Sequence, residues 1–286
     1  MSPPSPSPAP GQPAAPSPSA STLPVAAVQM VSTTRPEANQ AAAAAGIAKA
    51  AAAGARVVAL PEYFCLLGRR DTDKVALREA EGSGPLQAFL STQARAHGIW
   101  LIGGTLPLVA SRPSRVRNTS LVFGPDGQPV ARYDKIHLFG FQRGAERFDE
   151  SATIEAGRTP VVVDVEGWRI GLSVCYDLRF PELYRALAPC DLIVVPSAFT
   201  HTTGQAHWEV LLRARAIENQ CYVLAPAQGG LHENGRRTWG HSMLVDPWGD
   251  IVEVLPEGEG VVLGTLSRQR IVEVRASLPA LAHRIM

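Results

Sequence analysis

The chain has 286 residues, a formal net charge of +1, and 45% hydrophobic residues. This length and composition are sufficient for one large or two small domains with a substantial core. The balanced charge gives no indication of a nucleic-acid or membrane surface. No apolar run reaches the roughly 18 residues of a membrane-spanning helix.

The N-terminal segment differs in composition from the rest of the chain. Residues 1–22 are almost entirely Pro, Ser and Ala, which is typical of a disordered tail. They lack the basic start and the leucine-rich core of a signal peptide. No linker-like composition follows, so we predict one folded domain over residues 23–286.

The four cysteines do not have the spacing of a zinc site or of a disulfide framework. They are Cys65, Cys175, Cys190 and Cys221, and each lies in an apolar context. Cysteines of this kind are typical of proteins from reducing compartments. We therefore expect a cytoplasmic protein with free thiols.

Short apolar runs alternate with helical patterns along residues 23–286. Helices are predicted at 36–54, 84–97 and 205–219, near 181 and from 267. Strands are predicted at 24–30, 56–60, 99–104, 119–124, 130–133, 161–165, 169–174, 192–196, 222–227, 240–245, 250–254 and 261–265. Strands that alternate with helices and are partly joined by hairpin turns predict an α/β protein with mixed sheets.

Two segments have no regular pattern. Residues 135–160 form a long irregular connection, and a loop is predicted from residue 197 through His201. Connections longer than about 12–15 residues are uncommon in compact domains. We therefore expect residues 135–160 either to carry function or to be disordered.

Three chemically capable residues each follow the end of a predicted strand: Glu62, Lys135 and Cys175. Cys175 precedes a helix that begins near Pro181, where outward-pointing N–H groups can hold a thiolate or an oxyanion. Glu62 is flanked by proline and aromatic residues, and desolvation there would suit a general base working near neutral pH. Together the three residue types could form a thiol hydrolase site.

Each of these residues also has a simpler interpretation. A cysteine in an apolar strand is more often inert core, and the glutamate and lysine could lie at the surface. Only three of the 27 basic residues are lysines, namely Lys49, Lys74 and Lys135. Each retained lysine therefore either marks a place where a compact ammonium matters or is present by chance.

A thiol hydrolase needs a nucleophile, a base and donors for an oxyanion. Four segments carry such residues: LPEYF with Glu62, YDKIHLF with Lys135, FDES with Glu150 and GLSVCYDLRFPEL with Cys175. In this order they resemble the nitrilase or carbon–nitrogen hydrolase superfamily across residues 23–286. The resemblance implies a four-layer α-β-β-α sandwich and a Glu–Lys–Cys triad that works without a metal or an organic cofactor.

The resemblance also implies a role for each residue of the triad. Cys175 would be the nucleophile and Glu62 the general base and acid. Lys135 would stabilise the tetrahedral intermediate together with the backbone N–H of Tyr176.

A second glutamate assists the triad in members of the superfamily. In this sequence it maps best onto Glu150. Glu146 and Glu155 are competitors, because loop lengths vary in this region.

Within the superfamily, residues 196–230 and 239–249 resemble the deaminated glutathione amidase branch. We therefore expect cleavage of a terminal amide in a small carboxylated substrate, deaminated glutathione, through a thioester and with release of ammonia. The alternatives are an ω-amidase acting on α-ketoglutaramate, an N-carbamoyl amide hydrolase and an inactive binding or assembly module on the same fold. A papain-like mechanism with His241 as base would leave the contexts of Glu62 and Lys135 unexplained.

The predicted substrate-binding residues are Tyr176, Arg179, Phe199 and Thr200. Arg179 follows the nucleophile and could pair with a substrate carboxylate. It could equally form a structural ion pair with Glu182 or Asp177. Phe199 and Thr200 follow a strand and are expected at the rim of the same pocket.

The only partners predicted are the small-molecule amide and a second copy of the chain. His201 and His207 lack an acidic or thiol partner at metal-ligand spacing, so no metal site is predicted. Members of the superfamily commonly dimerise through the helix after the nucleophile and the C-terminal part. The resemblance therefore implies a homodimer.

Overall fold

The structure is a computed structural model that describes residues 20–144 and 146–285, without the side chain of Glu146. The predicted tail lies outside these residues except for its last three, of which Thr22 already belongs to the first strand. Within the described ranges, every helix is too short or too polar to cross a lipid bilayer.

The described residues form two large sheets, two small hairpins and helices on the outer faces. The helices are α1 (Pro36–Ala52), α2 (Asp73–Ala76), α3 (Pro85–His97), α4 (Pro181–Leu187), α5 (His201–Asn219) and α6 (Arg268–Ser277). The strands are β1 (Thr22–Gln29), β2 (Val57–Ala59), β3 (Trp100–Ile102), β4 (Leu106–Val109), β5 (Val116–Phe123), β6 (Pro129–Asp134), β7 (Gly140–Arg143), β8 (Glu146–Asp149), β9 (Val161–Val165), β10 (Trp168–Leu172), β11 (Leu192–Val194), β12 (Tyr222–Ala225), β13 (Gly229–Leu231), β14 (Arg237–Trp239), β15 (Ser242–Val245), β16 (Ile251–Leu255) and β17 (Gly260–Ser267).

Both large sheets are mixed, with parallel strands at the centre and antiparallel strands outside. The first has the order β17-β1-β2-β3-β5-β4, with β6 paired to β5, and its parallel centre is β1-β2-β3. The second has the order β16-β15-β12-β11-β10-β9, and its parallel centre is β10-β11-β12. This arrangement confirms the mixed α/β architecture predicted from the sequence.

The layers follow from the two-residue period of the strands. In β1, Val25 and Ala27 pack into the core that the two sheets share, whereas Ala26 and Val28 pack under α1 and α3. Helices α4 and α5 pack on the outer face of the second sheet, through Tyr184 and Trp208 among others. The order of layers is therefore α-β-β-α, as predicted.

Local signals explain where the outer helices begin and end. Proline occupies the first position of α1 and of α3. A backbone N–H at this position would have no acceptor within the helix, so proline costs the helix no hydrogen bond there. Gly98 ends α3 with a left-handed φ of 61°, a conformation that costs glycine little.

Several predictions of local structure were wrong. Residues 135–160 contain the hairpin β7–β8 and a short 3₁₀ helix, Glu150–Ala152. The hairpin is largely exposed, so it lacks the alternation that marks a half-buried strand. Helix α5 begins at His201, not at residue 205, because the Thr200 side chain caps it by accepting a hydrogen bond from the N–H of Thr203. Strands β4, β13 and β14 and helix α2, each of three or four residues, were not predicted.

The carboxyl ends of four strands lie at one edge of the sandwich. Glu62, beyond β2 of the first sheet, contacts Ala198 beyond β11 of the second sheet. Tyr133 in β6 contacts Asp177, which follows β10. Residues that follow strand ends in both sheets are thereby brought to a common site.

Candidate active site

Glu62 is held in one orientation by donors from both sheets. It is 1% exposed. Its Oε1 accepts hydrogen bonds from Asn118 Nδ2 and Lys135 Nζ, both at 2.9 Å, and its Oε2 accepts one from the N–H of Ala198 at 3.0 Å. The carboxylate therefore cannot rotate without losing a buried hydrogen bond.

Lys135 bridges two glutamates. Its side chain is fully buried, and its Nζ lies 2.9 Å from Glu62 Oε1 and 2.9 and 2.7 Å from the two carboxylate oxygens of Glu150. Glu150 also accepts hydrogen bonds from the Tyr63 hydroxyl at 2.8 Å and from the N–H of Phe139 at 2.7 Å. The result is a continuous Glu–Lys–Glu chain in which one ammonium lies between two carboxylates.

The three glutamates considered for the second acidic position have different surroundings. Glu150 lies beside Lys135, as described above. Glu155 instead forms an ion pair with Arg117 and accepts a hydrogen bond from Ser111. The side chain of Glu146 lies outside the described part of the protein.

Burial and neighbouring charges shift the pKa values of Glu62, Glu150 and Lys135 in different ways. Burial raises the pKa of Glu62, against the opposing charge of Lys135, and the charge of Glu150 adds to the rise. Burial also disfavours the charged form of Glu150, but Lys135 and the hydrogen-bond donors outweigh it and hold the pKa of this carboxyl below its usual value. For Lys135, burial is outweighed by Glu150 and Glu62, and its pKa lies well above the usual value. Glu62 is thus the member best suited to exchange a proton.

Cys175 occupies a constrained position at the entrance to a 3₁₀ helix, Cys175–Arg179. Its φ is +50°, a left-handed value that costs a residue with a side chain about 1–2 kcal/mol. The N–H of Cys175 donates to the carbonyl of Pro196 at 2.9 Å, which ties this turn to the end of β11. Strain of this kind is typical of functional turns.

The thiol of Cys175 is only 7% exposed. Burial raises its pKa well above the usual value, and the charge of Glu62 adds to the rise, although Lys135 opposes it. Glu62 and the N–H of Ala198 both lie near enough to the thiol to influence its pKa. The raised pKa favours the protonated thiol, and Glu62 is a neighbouring carboxylate.

Asp177 anchors the turn that carries Cys175. Its buried carboxylate accepts hydrogen bonds from the Tyr133 hydroxyl at 2.7 Å and from the N–H of Val174 at 2.9 Å. The other oxygen accepts from the N–H of His137 at 2.9 Å and lies 2.7 Å from that residue's Nδ1. Because Tyr133 and His137 flank Lys135 in sequence, Asp177 connects the lysine segment to the cysteine turn.

A cavity of 370 Å³ opens onto Glu62, Glu150 and Cys175. Its walls come from residues 66–74, the hairpin β7–β8, the start of α5 and the turn between β13 and β14. This volume is typical of a small-molecule site.

The predicted substrate-binding residues lie around Cys175. Thr200 lines the main cavity, whereas Tyr176, Arg179 and Phe199 line an adjoining recess of 20 Å³ that also reaches Cys175 and Thr200. Arg179 contacts His207 at 3.2 Å and lies over the rings of Tyr176 and Phe199. Within the described residues it forms no ion pair with Glu182 or Asp177, so neither structural partner considered above is present.

Cys65, Cys190 and His241 do not line the cavity. Burial raises the pKa of Cys65 to about 12 and that of Cys190 to about 11. The ring of His241 stacks on Trp239, and His241 does not line the cavity with Cys175. Over residues 20–144 and 146–285, no group of three or more His, Cys, Asp or Glu is arranged to hold a metal ion.

Two residues of the site were not assigned a site role from the sequence. Asn118 lies just outside the strand predicted at 119–124, and its hydrogen bond to Glu62 spans 56 positions. Asp177 was considered only as a partner of Arg179. The available signal for Asn118 was a polar residue next to a buried strand. For Asp177 it was a polar residue two positions after Cys175.

Comparison with known proteins identifies the family. The carbon–nitrogen hydrolase family matches residues 24–276. A deaminated glutathione amidase of Synechocystis sp. is 41% identical over 266 residues, which cover 91% of this chain and 97% of that protein. The deaminated glutathione amidase of Bos taurus is 39% identical over 273 residues, covering 92% of this chain and 83% of that protein.

Structural comparison gives the same result. The crystal structure of the Caenorhabditis elegans NitFhit protein superposes with a TM-score of 0.84 at 38% sequence identity. The match covers 93% of this chain and 65% of that one. The resemblance inferred from the four sequence segments is confirmed, and the chain belongs to the carbon–nitrogen hydrolase family.

Proposed function

We propose that this protein is an amidase that hydrolyses deaminated glutathione, with Cys175 as nucleophile and Glu62, Lys135 and Glu150 as its catalytic partners. The opening of Cys175, Glu62 and Glu150 onto one cavity, with Lys135 bridging the two glutamates, carries this proposal. The substrate is suggested by the names of the relatives, which are deaminated glutathione amidases in a cyanobacterium and in a mammal.

The first step is attack on the amide carbon. Glu62 takes the thiol proton as the sulfur of Cys175 bonds to that carbon, and the carbonyl oxygen becomes an oxyanion. The ammonium of Lys135 and the backbone N–H of Tyr176 stabilise the oxyanion. The second position of a 3₁₀ helix suits Tyr176 for this, since the first N–H groups of a helix have no helical acceptor.

Collapse of the intermediate breaks the carbon–nitrogen bond. Glu62 returns the proton to the departing nitrogen, which leaves as a neutral amine, and an acyl thioester remains on Cys175. Glu62 then takes a proton from water as the water oxygen attacks the thioester, and the released thiolate recovers that proton.

The leaving group depends on the substrate. In deaminated glutathione the scissile amide joins the five-carbon keto acid to the cysteine nitrogen, so the products are 2-oxoglutarate and cysteinylglycine. Ammonia, the leaving group expected for a terminal amide, would come from α-ketoglutaramate instead. The two activities therefore give different second products from the same acyl-enzyme.

The test is a product assay on wild-type protein, Cys175→Ala and the control Cys190→Ala. Cys190 is buried away from the cavity, with its thiol 2.9 Å from the carbonyl of Leu187. We expect wild type and Cys190→Ala to release cysteinylglycine from deaminated glutathione, and Cys175→Ala to release none.

Three parallel results define the failure of the proposal. Full activity in Cys175→Ala would eliminate the thioester mechanism. Faster turnover of α-ketoglutaramate or of an N-carbamoyl amide would replace the substrate while retaining the mechanism. Absence of turnover on all three amides by folded wild-type protein would favour a binding or assembly module.

The proposed setting is a cytoplasmic homodimer with no nucleic-acid or membrane partner. All four thiols are free, as expected in a reducing compartment. Exposed apolar side chains on α5 and α6, including Val210 at 68% and Val272 at 64%, provide a surface for a second copy. Light scattering coupled to size exclusion should give twice the mass of one chain, and a monomeric mass would refute the dimer.

A further inference from the structure

One wall of the cavity is rich in positive charge. Four cationic side chains line it: Arg70, Lys74, Arg236 and Arg237. Two come from the segment that precedes and forms α2, and two from the turn into β14. The floor of the same cavity carries the acidic residues Glu62 and Glu150.

Three of the four cations already have a carboxylate partner. Arg70 lies 3.2 Å from Asp73. Arg236 lies 2.8 Å from Asp71, and Arg237 lies 2.9 Å from Glu257. Their charge is therefore largely compensated within the protein.

Lys74 differs from the other three. Its Nζ donates to Thr153 Oγ1 at 3.2 Å and lies 5.6 Å from the centre of the Tyr63 ring. Within the described part of the chain it forms no ion pair, and Glu150 and Asp71 act on it only through space. Burial lowers the pKa of this ammonium, against the effect of those two carboxylates. The cavity thus contains a partly buried ammonium without a carboxylate in contact.

The location of Lys74 relates it directly to the reacting groups. Tyr63 follows Glu62 in sequence and donates its hydroxyl to Glu150, and Thr153 ends the 3₁₀ helix that Glu150 begins. The ammonium is therefore held between residues that adjoin both catalytic glutamates. Among the described cations that line this cavity, only Lys74 would offer an entering carboxylate a positive charge that is not already in an ion pair.

We propose that Lys74 is a specificity-determining residue that pairs with a carboxylate group of the substrate, and that the three paired arginines around it contribute little to this recognition. The inference rests on the proposed function for the identity of the substrate. Deaminated glutathione has two carboxylates, one on the 2-oxo acid and one on glycine, and either has the chemistry that Lys74 requires. A charge-assisted hydrogen bond in a partly desolvated site is the stronger kind.

The kinetic test compares Lys74→Met with wild type on substrates that differ in charge. Lys74→Met keeps the apolar stem of the side chain and removes the ammonium. We expect kcat/KM for deaminated glutathione to fall about 10- to 100-fold, chiefly through KM, and Lys74→Arg to restore part of it. Activity on a neutral amide such as propionamide should change less than about twofold. An equal loss on both substrates would mean that Lys74 only supports Tyr63 and Thr153, and would overturn the inference.

Two further substrates distinguish the carboxylates. If Lys74 binds the glycine carboxylate, Lys74→Met should have no effect on the glycinamide analogue of deaminated glutathione or on α-ketoglutaramate, because both lack that carboxylate. If Lys74 binds the 2-oxo acid carboxylate, both compounds should retain the effect. An unchanged KM for both deaminated glutathione and α-ketoglutaramate in Lys74→Met would contradict the proposal.

Two control variants test whether a cation that already has a carboxylate partner, or that lies far from the cavity, contributes to substrate recognition. Arg70→Met removes a cation of the same wall that already has a partner, and Lys49→Met removes an exposed lysine at the end of α1. We expect both to keep kcat/KM for deaminated glutathione within about threefold of wild type. A loss in Arg70→Met equal to that in Lys74→Met would indicate a general field effect and would overturn the specific assignment.

A binding measurement separates this inference from the proposed function. Glutarate, a dicarboxylate, is titrated calorimetrically into wild type and Lys74→Met, with its neutral diamide as the reference ligand. We expect glutarate to bind wild type about 10-fold or more tightly than Lys74→Met, and the diamide to show no difference. This result needs no turnover, so it stands even if deaminated glutathione is not the substrate. Equal affinity of both proteins for glutarate, or none in wild type, would refute the carboxylate site.

Discussion

The hydroxyl of Tyr133 donates a 2.7 Å hydrogen bond to the buried carboxylate of Asp177. Tyr133 belongs to β6 of the first sheet, and Asp177 lies in the 3₁₀ helix that Cys175 begins, after β10 of the second sheet. The bond therefore joins the segment that presents Lys135 to the turn that presents Cys175. The relative position of lysine and thiol depends on a contact between the two sheets.

Asp177→Asn is expected to impair catalysis while leaving substrate binding nearly unchanged. The backbone and hydroxyl groups that contact the carboxylate are all donors, so the amide nitrogen of an asparagine would face a donor. We expect the free energy of unfolding to fall by about 1–3 kcal/mol. A small displacement of Cys175 should lower kcat by about 10- to 100-fold and leave KM nearly unchanged. Steady-state kinetics and urea unfolding measure both effects. Asp164→Asn, at an exposed position of β9, is the control, and equal kcat in the two variants would contradict the positioning role.

The proposed proton transfer from Cys175 to Glu62 has a testable pH dependence. The pKa of Glu62 is raised above its ordinary 4.5, and only the ionised form can accept the thiol proton. The rate of Cys175 alkylation by iodoacetamide should therefore fall as the pH decreases through an inflection that lies above 4.5. In Glu62→Gln this inflection should disappear, leaving only the rise at high pH that reflects thiol ionisation. Peptide mass spectrometry follows Cys175 separately, and an unchanged profile in Glu62→Gln would exclude Glu62 as the base.

Glu150→Gln should act on both of its neighbours in the buried chain. The substitution removes a charge that raises the pKa of Glu62 and that of Lys135. The acid inflection of kcat/KM should therefore move to lower pH, and kcat should fall by about 10- to 100-fold because Lys135 loses a bidentate partner. The pH profile of kcat/KM provides the measurement. A shift of the inflection to higher pH would show that Glu150 does not raise the pKa of Glu62.

Gly104→Ala should disturb the segment that carries Glu62. Gly104 has a φ of +55°, and an added Cβ would lie 2.1 Å from the carbonyl oxygen of Pro61. Gly98 has a similar φ of +61° with no atom within 4 Å of the same position, so Gly98→Ala isolates the conformational cost. We expect Gly104→Ala to lose about 1–3 kcal/mol more than Gly98→Ala in urea unfolding, and to lose activity as well. Equal stability of the two variants would mean that Pro61 moves without strain.

Much of the candidate site could be predicted from the sequence because its ionisable residues follow the ends of strands. Glu62, Lys135 and Cys175 each come directly after an apolar run, and such runs are local patterns that need no knowledge of the fold. The irregular appearance of residues 135–160 was misleading in structural terms, since an exposed hairpin has no core-facing stripe. The segment nevertheless contains Glu150, whose carboxylate is in contact with Lys135.

The sequence by itself determined the α/β class, the strand-end positions of Glu62, Lys135 and Cys175, and the resemblance that defines the family. Only the tertiary structure decided which polar residues support them. Asn118 reaches Glu62 across 56 positions, and Tyr133 reaches Asp177 across 44, so no local pattern records either contact. Lys74 was notable in the sequence only for its rarity. Its lack of a carboxylate partner among the described residues is a property of three-dimensional charge pairing, which depends on how the loops around the cavity fold together.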